Sequence, residues 1–133
     1  RDFEKDIEAE PRIEENQAIT TEDVLFHRLC SLMEDKKLYL RAGLKITDLA
    51  AEAGTNRSYV SRTINIKTGK SFSEFVTQYR INHALELLKD QGAGGMKFSE
   101  IASASGFLSG NSFYKAFTKS MGMSPSEWIA GNR

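Results

Sequence analysis

The sequence predicts an all-α fold of about seven helices, arranged as two helix-turn-helix subdomains joined by a long connecting helix. Apolar residues recur at helical spacing from Thr21 onward, and no stretch alternates with a period of two for long enough to form a sheet. A helix–glycine–turn–helix pattern also occurs twice, which divides the helices into two units.

Caps, glycines and prolines place the individual helices. They span about 21–36, 46–53, 57–66, 72–88, 99–105, 109–120 and 125–130. Ser71 with Glu74 and Ser124 with Glu127 form capping-box patterns, and Asn56 is a further N-cap candidate. We expect the longest helix to have one apolar side, made of Phe72, Phe75, Val76, Tyr79, Ala84, Leu87 and Leu88.

The charge is divided along the chain in a way that suggests its organisation. Residues 1–35 carry four basic and eleven acidic residues, whereas residues 36–133 carry fourteen basic and seven acidic ones. A basic body behind an acidic leader suggests a polyanionic partner. We predict an acidic flexible linker at 1–20, a first subdomain at 21–70, the connecting helix at 71–90 and a second subdomain at 91–133.

The internal repeat is the most informative pattern in the sequence. At an offset of 52 residues, Leu49, Ala50 and Gly54 match Ile101, Ala102 and Gly106. At an offset of 53, Val60, Arg62, Ile64 and Gly69 match Phe113, Lys115, Phe117 and Gly122. One residue is therefore inserted in the turn between the paired helices of the second unit.

A repeated unit of this kind favours DNA binding. Two helices joined by so short a turn cross steeply, and in a helix-turn-helix the second helix lies in the major groove. A corner used only for packing is the alternative for a single unit, but two units in a basic body favour the DNA interpretation. The 17-residue connecting helix is about 25 Å long. We therefore expect Arg62 and Lys115 to point outward on a common side, about one DNA pitch apart.

Other functions find little support. No apolar run approaches the roughly 18 residues that span a bilayer, and the single cysteine, Cys30, excludes an internal disulfide. The segment 69–71 resembles the end of a phosphate-binding loop, but Ile64 stands where that motif requires glycine. His27 and His83 lie on separate helices without metal-ligand spacing. We predict no enzyme, no metal and no cofactor.

Several motifs resemble the DNA-binding domain of the AraC/XylS family of transcription regulators, over about residues 22–130. In the first half they are Ile46-Thr-Asp-Leu-Ala-Ala51 with Gly54, Tyr59-Val-Ser-Arg62, Gly69-Lys-Ser-Phe72 and Tyr79-Arg-Ile81. In the second half they are Ile101-Ala102, Gly106-Phe107, Ser112-Phe-Tyr-Lys-Ala-Phe117 and Gly122-Met-Ser-Pro125. The acidic leader and Leu38-Tyr-Leu40 also resemble the AraC-type output domains of some hybrid two-component sensors.

The resemblance implies a bilobed domain that binds double-stranded promoter DNA and contacts RNA polymerase, as a transcription activator does. It implies a cytoplasmic, nucleoid-associated protein. Because the chain begins at Arg1, we expect a longer polypeptide whose upstream part carries sensing, dimerisation and any membrane anchor. We expect the present chain to be monomeric and the full-length protein to be dimeric.

The resemblance also implies which residues read bases. The family's positions fall on Arg57, Ser58, Ser61 and Arg62 in the first unit and on Gly110, Asn111, Tyr114 and Lys115 in the second. Arg62 suits guanine, and Asn111 suits adenine. Gly110 departs from the family, which often places a polar reader there, so the second unit would rely more on phosphates or DNA shape.

Phosphate contacts are expected at helix starts and nearby lysines, namely Asn56, Lys67, Lys70, Ser71, Ser109, Lys119 and Ser124. The free amides after Ser71 and Ser124 are ready anion sites, whereas a solvated surface position explains any one of the lysines equally well. For Arg80 we expect a structural role, such as pairing with an acidic side chain between the lobes.

The alternative function is a helical protein–protein interaction module without DNA binding. Such a module would need aromatic or aliphatic anchors on its exposed faces, where this sequence places Arg57, Arg62 and Lys115.

Overall fold

The computed structural model describes residues 18–91 and 95–131 of the 133-residue chain, and all regular structure in those residues is helical. The α-helices are α1 (Thr21–Glu34), α2 (Ile46–Ala53), α3 (Arg57–Thr68), α4 (Phe72–Gln91), α5 (Phe98–Ala104), α6 (Gly110–Met121) and α7 (Pro125–Gly131), with a 3₁₀ helix at Leu38–Leu40. The predicted fold class is confirmed: α2–α3 and α5–α6 are the two helix-turn-helix units, and α4 joins them. Most of the predicted linker lies outside the described residues. None of the described helices is long and apolar enough to cross a membrane.

Side-chain caps fix helix starts that the sequence predicts. Thr20 and Asp23 each accept a hydrogen bond from the other's amide at 3.0 Å, which begins α1. Asn56 begins α3, because its Oδ1 accepts from the Tyr59 amide at 3.0 Å. Such caps satisfy amides that lack a partner within the helix, so short sequence patterns determine these boundaries.

The two units have the same backbone turn after their first helix. A glycine with positive φ stands there in both, +73° at Gly54 and +92° at Gly106. The amide that follows it donates at 2.9 Å to an alanine carbonyl of the preceding helix, that of Ala50 or Ala102. The repeat in the sequence is therefore also a repeat in backbone conformation.

Two hydrophobic cores form, and α4 contributes to both. Phe75 and Val76 pack in the first core, with residues of α1–α3, whereas Ala84 and Leu88 pack in the second, with residues of α5 and α6. Phe75 and Ala84 are nine residues apart, which at about 100° per residue places them on opposite sides of α4. The prediction of a single apolar side is therefore wrong: α4 buries one face near its start and the opposite face near its end.

Arg80 of α4 connects the two halves. Its Nε donates to the Tyr39 carbonyl at 2.7 Å, and its Nη2 donates to the Arg41 carbonyl at 2.9 Å. The same Tyr39 carbonyl lies against Gly106 of the second unit. Arg80 thus has a structural role, but its partners are backbone carbonyls and not the acidic side chain that the sequence suggested.

Neighbouring side chains of α4 add to this junction. The Tyr79 ring stacks on Tyr39 with 5.8 Å between centroids, and its hydroxyl donates to Glu34 Oε2 at 2.8 Å. On the other flank, His83 Nδ1 lies 3.2 Å from the hydroxyl of the fully buried Ser105. These contacts bring the end of α1, the 3₁₀ helix and the α5–α6 turn together around the middle of α4.

Candidate nucleic-acid interface

The second helix of the first unit, α3, has one buried and one exposed face. Val60, Thr63 and Ile64 are at most 2% exposed. The predicted base readers are all exposed: Arg57, Ser58, Ser61 and Arg62. Helical spacing alone separates the two faces, because residues three and four apart lie on the same side.

The second helix of the other unit, α6, follows the same plan. Phe113 and Phe117 are at most 1% exposed, whereas Asn111, Tyr114 and Lys115 are exposed. Gly110 begins the helix with open space around the position where a Cβ would stand. A larger side chain would fit at position 110, but glycine itself offers no side chain to contact a base.

Two carboxylates from the first turn of α1 reach the cations of α3. Glu22 Oε2 lies 3.7 Å from Arg62 Nε, and Asp23 forms an ion pair with Lys67. The sequence predicted no contact for these acids. The sequence around Glu22 and Asp23 indicates only that a helix begins there. It contains no local signal for the helix that these side chains will face.

The capping groups at the predicted phosphate sites use their acceptors within the chain. Asn56 Oδ1 serves the Tyr59 amide, which leaves the amide nitrogen of its side chain for another partner. The Ser109 hydroxyl accepts from the Ser112 amide at 3.1 Å and donates to the Ser112 hydroxyl at 3.2 Å. Within the described part of the chain, Asn56 therefore retains a free donor towards a phosphate, and the Ser109 hydroxyl does not.

The starts of α4 and α7 carry their own carboxylates. Glu74 Oε1 accepts from the Ser71 amide at 2.9 Å, and Glu127 Oε1 accepts from the Ser124 amide at 2.8 Å. Hydrogen bonds from the backbone and side chain of Ser71 lower the pKa of Glu74, and those of Ser124 do the same for the pKa of Glu127. Each helix start expected to bind an anion therefore already has a carboxylate beside it. One expected free amide in each first turn is also used, because the Glu74 and Glu127 amides donate to the Ser71 and Ser124 hydroxyls.

A groove between α4 and α6 gathers three lysines. It is lined by Lys70 before α4 and by Lys115 and Lys119 on α6, with hydroxyl groups such as Ser73 between them. Glu74 is the single acidic residue among the described residues that line it. The groove is therefore cationic, and it brings Lys70 and Lys119, two predicted phosphate contacts, together with the predicted reader Lys115.

Comparison with known sequences gives the same type of unit that the geometry shows. Residues 49–131 match a family model described as a helix-turn-helix domain. The HTH-type transcriptional regulator YfiF of Bacillus subtilis is 34% identical over 103 residues, which cover 74% of this chain and 32% of the relative. The chain thus spans about a third of the length of this curated relative.

Two solved structures share the fold. The C-terminal domain of AraT, a response regulator from Geobacillus stearothermophilus, superposes with a TM-score of 0.71 at 25% identity, over 86% of this chain and 88% of that one. A transcriptional regulator from Chromobacterium violaceum, described among AraC-type DNA-binding domain-containing proteins, gives a TM-score of 0.68 at 25% identity, over 80% and 90% of the two chains. Coverage of this extent requires both helix-turn-helix units and α4.

Proposed function

The chain belongs to the AraC-type family of helix-turn-helix transcription regulators, and from this premise we propose that it binds double-stranded promoter DNA sequence-specifically, with α3 and α6 in adjacent major grooves. The repetition of the unit carries the proposal: α3 and α6 are both 12-residue helices, each buried on one face and exposed on the other. The major groove admits such a helix and presents a distinct donor–acceptor pattern for every base pair.

The proposed base readers are the exposed residues of α3 and α6. The arginines Arg57 and Arg62 and the amide of Asn111 have the donors that purine edges require, because arginine pairs with guanine and asparagine with adenine. Ser58, Ser61, Tyr114 and Lys115 complete the set. Gly110 adds no contact, so base reading is stronger in the first unit.

Phosphate contacts are proposed where free donors border these readers. The α4–α6 groove supplies Lys70 and Lys119, and the Asn56 side-chain amide supplies a neutral donor. The Ser71 and Ser124 hydroxyls drop out, because they already donate to the Glu74 and Glu127 carboxylates. We leave Lys67 and Ser109 out of this set, because Lys67 is paired with Asp23 and the Ser109 hydroxyl donates to Ser112.

Selection of bound duplexes from random DNA tests the proposal directly. We expect enrichment of a site with two recognised segments, one for α3 and one for α6, whose centres lie about 10 base pairs apart. No enrichment, or a site with a single recognised segment, would contradict the placement of two helices in adjacent grooves. The selected site then serves every measurement below.

Replacing Arg62 by alanine is expected to relax base preference at one position of the selected site. A bidentate arginine–guanine pair contributes about 1–3 kcal/mol of discrimination, so about 5- to 150-fold of preference should disappear there and nowhere else. Binding profiles over all single-base variants of the site measure this. Superimposable profiles for the wild type and Arg62→Ala would remove Arg62 from the readers.

Replacing Lys70 by alanine is expected to weaken binding to all sequences alike. Loss of one phosphate contact costs about fivefold in affinity near 150 mM salt, without changing the order of preferred bases. Lys89→Ala is the matched control, because Lys89 is paired with Glu86 on α4, away from the groove. A change in base preference with Lys70→Ala would make Lys70 a reader instead.

We also propose that the chain is the cytoplasmic output domain of a longer regulator. Its likeness to the C-terminal domain of the response regulator AraT supports a two-component system. RNA polymerase contact and dimerisation are proposed for the full-length protein, whereas the present chain binds as a monomer because it already holds two recognition helices. Sedimentation with a selected duplex should give one chain per site, and two chains per site would contradict this.

A further inference from the structure

The contact between α1 and α3 involves Arg62, the proposed reader of guanine. Glu22 Oε2 stands 3.7 Å from Arg62 Nε. This distance is an ion pair and exceeds a hydrogen bond. The side chain of Arg62 is 66% exposed and that of Glu22 is 28% exposed, so the carboxylate is the more enclosed partner and the guanidinium is the outer one.

The side from which Glu22 approaches leaves the reading edge of Arg62 unoccupied. A guanidinium has five N–H donors in a planar fork, and a purine edge needs two of them. A carboxylate beside Nε leaves Nη1 and Nη2 available for the O6 and N7 atoms of guanine. An unrestrained arginine would lose the freedom of four rotatable bonds on reading a base, whereas one held at Nε loses less of it.

Glu22 itself is held in place by the fold. It lies in the first turn of α1, which Thr20 and Asp23 cap with reciprocal bonds of 3.0 Å. Leu25 and Leu29 anchor that helix in the first core. Glu22 also borders, together with Tyr59 of α3, the groove between the two helices.

We infer that Glu22 is a positioning residue for base reading: it holds the Arg62 guanidinium at its Nε side, so that the two terminal amino groups face the major groove. The inference rests on the proposed function and deepens it. Glu22 touches no base in this arrangement. Its charge also disfavours a phosphate beside Arg62, which directs the arginine towards a base edge.

The test measures discrimination at one base pair. The duplexes are the selected site and the same site changed at the base pair whose preference Arg62→Ala removes. Affinities for both are measured with the chain of 133 residues for the wild type, Glu22→Gln, Glu22→Asp, Arg62→Ala and Glu22→Gln with Arg62→Ala. Glu86→Gln removes the same charge from an exposed pair with Lys89 and is the matched control.

Glu22→Gln is expected to reduce discrimination at that base pair by about twofold to fivefold, which is the range that a largely exposed ion pair contributes. Glu22→Asp should reduce it similarly, because the shorter side chain keeps the charge and loses the reach. In the Arg62→Ala background Glu22→Gln should have no effect on discrimination, and Glu86→Gln should have none in either background.

Three outcomes would overturn the inference. Discrimination that is unchanged in Glu22→Gln, while Arg62→Ala abolishes it, overturns the role of Glu22 alone. If Glu22→Gln tightens binding to both duplexes equally, Glu22 only competes with DNA phosphate for Arg62. An Arg62→Ala variant that keeps its preference at every base pair overturns the reader assignment under the proposed function, and the role of Glu22 with it.

Discussion

Replacing Gly106 by alanine is expected to lower the free energy of unfolding by more than about 3 kcal/mol. The new Cβ would stand 2.3 Å from the Tyr39 carbonyl oxygen and 3.0 Å from the Leu40 Cα, so it would collide with the backbone of the 3₁₀ helix rather than with a side chain that can rotate away. The Tyr39 carbonyl is also held by Arg80 Nε at 2.7 Å, which opposes any shift away from the new atom. The positive φ of +92° adds strain for any residue with a Cβ.

Gly54→Ala is the matched control, because Gly54 occupies the equivalent turn of the first unit. Its φ is +73°, but beyond its chain neighbours no atom of the described residues lies within 4 Å of the position that a Cβ would occupy there. Left-handed strain alone costs about 1–2 kcal/mol, so the difference between the two variants isolates the contact with Tyr39. Urea unfolding with an unchanged m-value measures both losses. Equal losses of unfolding free energy in the two variants would mean that the Tyr39 segment moves away from position 106 at no cost in stability.

The comparison of these two glycines shows how far the sequence predicts the fold. The repeat predicts both turns, since a glycine that ends a helix and a short polar turn are local signals. The close approach of Gly106 to Tyr39 was not predictable in this way, because its partner lies 67 residues earlier in the chain. The same holds for α4, whose two buried faces depend on which core each half of the helix meets.

For the candidate interface too, the local features were predictable from the sequence and the contacts between distant helices were not. Helical periodicity predicts that Val60 and Ile64 turn inward and that Arg62 turns outward, and the structure agrees. The acidic partners of Arg62 and Lys67 required the packing of α1 against α3, which no spacing in the sequence encodes. The separation of α3 and α6 by one DNA pitch stays a prediction for the selected site to test.

Raising the salt concentration from about 50 to about 200 mM is expected to weaken duplex binding about 150-fold, if about four cations of the interface release counterions from DNA. The exposed candidates are Arg57, Lys70, Lys115 and Lys119, whereas Arg62 is already paired with Glu22. The logarithm of the affinity should fall linearly with the logarithm of salt concentration. A flat dependence would contradict DNA binding and favour the alternative of a protein-interaction module, whose contacts involve no polyelectrolyte.

Lys67 and Lys70 provide an internal comparison for this measurement. Lys70→Ala should reduce the slope by about one, because a lysine in the cationic groove neutralises one phosphate. Lys67→Ala should leave the slope unchanged, because Asp23 already neutralises that ammonium in the free protein. Equal reductions in both variants would mean that the Asp23–Lys67 pair opens on DNA, and would return Lys67 to the phosphate contacts. The slope therefore separates cations that are available to DNA from those that α1 holds.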